Sequence, residues 1–106
     1  MTTNDIHRES MIYAHRGDRA KRLGHRFEPI YETAALLECL AVTSCELSGG
    51  AQPAHGILCR SAAWLLIEAG RPGEALVMVR RGLDASPPKW LETELEDAGR
   101  AAGGGA

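Results

Sequence analysis

The residues best equipped for chemistry are His55 and Cys59, which stand four apart and so share one face of any helix that carries them. A thiol beside an imidazole is the elementary unit of cysteine nucleophilic catalysis, but no third group to orient the ring is evident. Cys39, Cys45 and Cys59 cannot all pair within one chain, and each sits among apolar helical residues, which favours small buried hydrophobes. No Cys-x-x-Cys spacing marks a zinc site, and His7, His15 and His25 are too scattered to specify a metal. The sequence contains no phosphate loop, dinucleotide fingerprint, zinc-protease motif or nucleophile elbow. The expectation is a protein with no catalytic residues, no metal and no cofactor.

Charge is distributed unevenly. Residues 1–27 hold six basic and three acidic residues, net +3, whereas residues 28–106 hold six and eleven, net −5. Arg16, Arg19, Lys21, Arg22 and Arg26, joined by His15 and His25, form a basic band. Such a band suits phosphate or an acidic partner, and it is equally a solvated face or a match for the chain's own acidic half. No aromatic stacking platform or recognition-helix signature accompanies it, so nucleic acid is not the expected partner. Arg16-Gly17-Asp18 spells a cell-adhesion tripeptide, which is coincidence in a chain expected to be cytoplasmic.

The elements that must position these groups follow from length and pattern. One hundred and six residues allow one domain, and 44% hydrophobic with 25% charged residues is an ordinary globular composition. The net charge of −2 argues against a generic nucleic-acid or membrane binder. The N-terminus lacks the apolar run of a secretory signal, and the longest apolar stretch, 62–67, is far below the roughly 20 residues that span a bilayer. Residues 4–23 read as one imperfect helix that can break at Gly17-Asp18. Phe27, Ile30, Tyr31, Ala34, Leu37, Ala41 and Cys45 follow the helical rule through 27–47. Leu36, Leu40 and Leu47 widen that stripe, so this helix should be covered on two sides. A third helix should run from Pro53 or Ala54 to Ala69, a fourth over about 73–85, and a fifth should be capped by Ser86 with Leu91, Leu95 and Ala98 inward. Nothing alternates with period two for long enough to make a strand. The reading is all-α with about five helices.

Residues 56–89 carry a second regularity. Small Ala63, large Leu66 and a turn at Gly70 are followed by small Ala75, then Val79, small Gly82 and Pro87. At these intervals the segment resembles one tetratricopeptide repeat, a helix–turn–helix of about 34 residues. Cys59, Ala62, Leu66 and Val79 stand where a stronger repeat has an aromatic ring, a leucine, a tyrosine and a phenylalanine. Tyr31-x-x-Ala34 echoes Val79-x-x-Gly82, so residues 5–47 look like a degenerate preceding pair, with Phe27 at a position that should be small. The chain is also similar to short bacterial tetratricopeptide-like proteins without a settled function.

The resemblance implies a single domain, 1–106, of stacked antiparallel hairpins forming a right-handed solenoid fragment. Residues 88–100 would be its capping helix and 102–106 a flexible tail. It also implies a groove lined by the first helix of each pair, here Ile57, Arg60, Trp64 and Ile67, which do share one helical stripe. Trp and Arg are common binding anchors; the alternative is that the first two helices cover this stripe and make Trp64 ordinary core. Trp64 stands where the family's carboxylate-clamping members carry asparagine, so that mode is not expected. The function expected is non-catalytic capture of a partner protein's peptide or helix. The alternative is a nucleic-acid-associated accessory or regulatory protein using the basic band, and an open apolar face would also allow a homo-oligomer.

Overall fold

The computed structural model describes residues 1–103, which form five α-helices and no strand. They are α1 (Thr3–Arg22), α2 (Glu28–Leu47), α3 (Ala54–Glu68), α4 (Pro72–Asp84) and α5 (Lys89–Ala101). Local chemistry sets most boundaries. Thr2 caps α1 reciprocally: its hydroxyl accepts the Asp5 N–H at 3.1 Å, and the Asp5 carboxylate accepts the Thr2 N–H at 3.0 Å. Pro29 and Pro72 occupy first turns, where a missing N–H costs nothing. Gly24 and Gly70, with φ of +73° and +78°, turn the chain after α1 and α3.

Two of these boundaries differ from expectation. Ser86 does not cap α5; it takes a left-handed φ of +54°, and Pro88, which has no side-chain donor or acceptor, precedes the helix. Ala102 belongs to the end of α5, packed against the core with its N–H on the Ala98 carbonyl at 3.0 Å. Of the flexible tail expected at 102–106, Ala102 is therefore held, and residues 104–106 lie outside the described part.

The helices pack in order: α1 on α2, α2 on α3, α3 on α4, with α5 returning to cover both α3 and α4. The molecule measures 39 × 39 × 20 Å, so it is two helices thick. α3 is enclosed on three sides, and Leu58, Cys59, Ala62, Ala63, Leu65 and Leu66 are all buried along it. Ala63 and Ala75, the small pair expected at the α3–α4 crossing, are both fully buried. Leucines of α5 sit directly over glycines of α3 and α4. A Cβ on Gly56 would stand 2.3 Å from Leu91 Cδ2, and one on Gly82 would stand 3.0 Å from Cys59 Cβ and from both Leu95 methyls.

Polar ties join α1 to α2. His7 Nδ1 lies 2.9 Å from both oxygens of Glu38, a carboxylate with no exposed surface. Ser10 donates to the Ala34 carbonyl at 2.8 Å, and the Tyr31 hydroxyl donates to Asp18. α1 does not break at Gly17-Asp18. Gly17 is buried under the Tyr31 ring, where a Cβ would meet ring carbons at 2.8 Å, so glycine there is a packing contact. Gly17 and Asp18 of the adhesion-like tripeptide are thus spent on fixing Tyr31.

α2 is covered on one side only. Its alanine face, Ala34, Ala35 and Ala41, admits α1 and α3, while Leu36, Leu40 and Leu47 are 64%, 51% and 85% exposed. Small residues permit close helix approach, so the neighbours pack there and the bulky leucines are left outward.

Two glycine substitutions separate packing from propensity. Gly17→Ala must displace a buried ring and should destabilise by about 1–3 kcal/mol. Gly73→Ala, where an added Cβ meets nothing within 4 Å, should stabilise by roughly 0.5 kcal/mol. Thermal melts of both variants give opposite shifts if these contacts are right.

Candidate functional site

His55 and Cys59 do meet, but not as a nucleophile and its base. Cys59 Sγ lies 3.8 Å from His55 Nε2, and that same nitrogen donates to Glu46 Oε2 at 2.8 Å. The other ring nitrogen, Nδ1, is buried without a partner. In a working triad the two nitrogens divide these tasks, one facing the nucleophile and one the acid. Here a single nitrogen faces both. Burial also pushes the Cys59 thiol up to about 12, far from a reactive thiolate. Arg81 completes the cluster by donating Nε–H to Glu46 at 2.9 Å, and its hydrogen bonding holds the Glu46 carboxyl down to about 2. The pair joins the end of α2 to α4 beside a concavity of about 360 Å³.

Cys45 and Cys59 are buried, Cys39 is partly so, and all three are free thiols. Among the described residues no group of three His, Cys, Asp or Glu side chains is placed to hold a metal ion. No helix there is long and apolar enough to cross a membrane.

The stripe Ile57, Arg60, Trp64 and Ile67 faces outward from α3. Ile57 and Ile67 are half-buried against the core, and Trp64 is 41% exposed, so it is not ordinary core. Arg60 is held by an ion pair with Glu94 of α5. That contact, with Leu91 seated on Gly56, shows α3 and α5 running in the same direction, 56 beside 91 and 60 beside 94. One turn before Glu94 stands Trp90, which is 50% exposed. Both tryptophans of the chain are therefore open to solvent, one turn from either partner of the same ion pair.

Trp90 was missed in reading the sequence. Its signal was its position 100° off the Leu91–Leu95–Ala98 stripe, which turns a large apolar ring out of the core. With 1.5 Å rise per residue, the two rings lie on the order of 13 Å apart along the helix axes.

The basic band sits at the other end of the molecule's sequence. Arg16, Arg19, Lys21, Arg22 and Arg26 are all exposed. Lys21 pairs with Glu68 of α3 at 2.7 Å, and among the described ion pairs it is the only member that reaches the acidic part of the chain. Three surface concavities, of about 820, 360 and 510 Å³, are lined by neither the tryptophan stripe nor the band. The largest follows α4 and α5 over Leu76, Val77 and Leu83. Set against protein families, curated proteins and solved structures, the chain matches none of them.

The ion pair on Glu46 makes stability depend on acid. A carboxyl ionising at about 2 when folded and near 4.5 when unfolded adds stability above pH 4.5 that is lost as pH falls toward 2. Solvent screening of a pair this open keeps the effect to about 1 kcal/mol. Urea midpoints near neutrality and near pH 3 should therefore differ less in Arg81→Gln than in the parent. Thiol titration gives a second check: Cys59 should react with a disulfide reagent only after unfolding.

Proposed function

We propose that the chain is a non-catalytic interaction module, tetratricopeptide-like in its stacked hairpins, that captures a peptide or helix of a partner protein on the α3–α5 face. The observation that carries this reading is the exposure of both tryptophans beside the Arg60–Glu94 pair. Trp and Arg dominate the energetic centres of interfaces, because large rigid rings bury much area at little entropic cost. Removing the remaining exposed half of each ring from water is worth on the order of 2 kcal/mol. Ile57 and Ile67, half-buried at either end of the stripe, extend the apolar floor. The Arg60–Glu94 pair, too exposed to add much stability, offers a partner one donor fork and one carboxylate at a fixed position.

The occupied Nε2 of His55 and the protonated, buried thiol of Cys59 support a binding role over a catalytic one. The family resemblance of the α3–α4 hairpin supports the choice of face, since such repeats bind along their first helices.

Peptides selected from a display library against the full chain test the reading. Trp64→Ala and Trp90→Ala should each weaken their binding by roughly tenfold to a hundredfold. Each variant should keep a melting temperature near the parent's, because the rings are already half in water. A Trp64→Ala chain that loses several kcal/mol of stability, or that binds the selected peptides unchanged, would sink the proposal.

A further inference from the structure

The outer side of α1 carries a patterned surface that the tryptophan face does not use. Ile12, Arg16, Arg19 and Leu23 follow at i, i+4, i+7 and i+11, so they form one stripe, opposite the buried Ser10, Ala14 and Gly17. Ile12 and Leu23 are 41% and 57% exposed, large apolar groups at the two ends of a stripe whose middle is basic.

The arginines here are unusual within this chain. Arg8, Arg60, Arg71, Arg81, Arg100 and both lysines each have a carboxylate partner. Arg16, Arg19, Arg22 and Arg26 have none among the described residues, a lack shared outside this band only by Arg80 of α4. Of the exposed acids of α1, Asp5 and Glu9 lie before the stripe, and Asp18 accepts the Tyr31 hydroxyl. The helix dipole favours cations in the last turn, but it does not reach Arg16 or cancel the charge.

We infer that this stripe docks an acidic amphipathic helix of a partner protein. Apolar residues of that helix would meet Ile12 and Leu23, and its carboxylates would take the guanidinium forks of Arg16 and Arg19. Charge complementarity sets the sign of the partner, and the apolar ends set its class. A nucleic-acid backbone gains nothing from Ile12 and Leu23, and α1 offers no free ring for a base to stack on. Its one aromatic, Tyr13, is half-buried, with the Arg16 guanidinium 5.1 Å over the ring. A second copy of this chain is a poor match, because Glu92, Glu94 and Asp97 of the acidic α5 already hold Lys89, Arg60 and Arg100, which leaves Glu96 as that helix's one acid without an ion pair among the described residues.

The probe is a synthetic helical peptide of about five turns, with leucines and glutamates at the spacing of Ile12, Arg16, Arg19 and Leu23. Its binding to the full chain is followed by fluorescence anisotropy beside a scrambled peptide of the same composition and a duplex oligonucleotide. The patterned peptide should bind at least about tenfold tighter than the scrambled one. Arg16→Gln with Arg19→Gln, and separately Ile12→Ser with Leu23→Ser, should each weaken it by roughly tenfold. All four side chains are exposed, so the variants should keep the parent's circular dichroism and can be compared directly. Equal binding of the two peptides, no binding of either, or a duplex that binds tighter and ignores Ile12 and Leu23 would overturn the inference.

Discussion

The close approach of α5 to α3 and α4 is the contact on which the rest depends. It exists because Gly56 and Gly82 carry no side chain where Leu91 and Leu95 come down. Both leucines, with Ala98, are completely buried, and each leucine contributes about 1.5–3 kcal/mol by leaving water. That packing holds α5 parallel to α3 and sets which residues of the two helices stand side by side. Arg60 then reaches Glu94, and Trp64 and Trp90 fall on one face. A methyl group at Gly56 would push α5 outward and separate the two halves of that face.

The division of labour among forces follows from burial. Apolar packing around α3 supplies the stability, because the ion pairs are mostly open to solvent and each is worth less than about 1 kcal/mol. Glu38 is the exception, a carboxylate sealed between α1 and α2 with His7 as its partner. It orients α1 on α2, since any sliding would strip a buried carboxyl group of its hydrogen bonds. The remaining charged residues are free to act outward. They have separated along the chain, with most of the unpaired arginines in its first quarter and mostly paired acids on α5, while large apolar groups remain exposed on α2, α3 and α5. The surface is differentiated into faces of distinct chemistry, which suits a protein that works by contact.

Much of the architecture could be read from local signals. The five helices follow from 3.6-residue periodicity broken by Gly24, Ser48-Gly49-Gly50, Gly70 and Pro87-Pro88, and the small residues at Ala63, Ala75 and Gly82 foretell the crossings. What failed was long-range. Gly17 looks like a breaker until Tyr31, fourteen residues later, is known to lie across it. Leu36, Leu40 and Leu47 look like a second core face, because a stripe's hydrophobicity does not reveal that no helix arrives to cover it. Ser86 has a capping side chain, yet its left-handed backbone puts it outside the cap. At the candidate site, spacing put Ile57, Arg60, Trp64 and Ile67 on one stripe, while its outward direction rested on the repeat resemblance alone. Trp90 was not legible, because its meaning depends on α5 being parallel to α3, which Gly56 and Leu91 decide through space.

The central claim is that Trp64 and Trp90 form one open face that a partner closes. Emission of the two single-tryptophan chains, Trp64→Phe and Trp90→Phe, measures this directly, free and with a selected peptide bound. The account predicts red, readily quenched emission from each ring in the free chain, and a blue shift with protection from acrylamide in both when peptide binds. A blue, unquenched ring in the free chain, or a ring indifferent to the peptide, would contradict it.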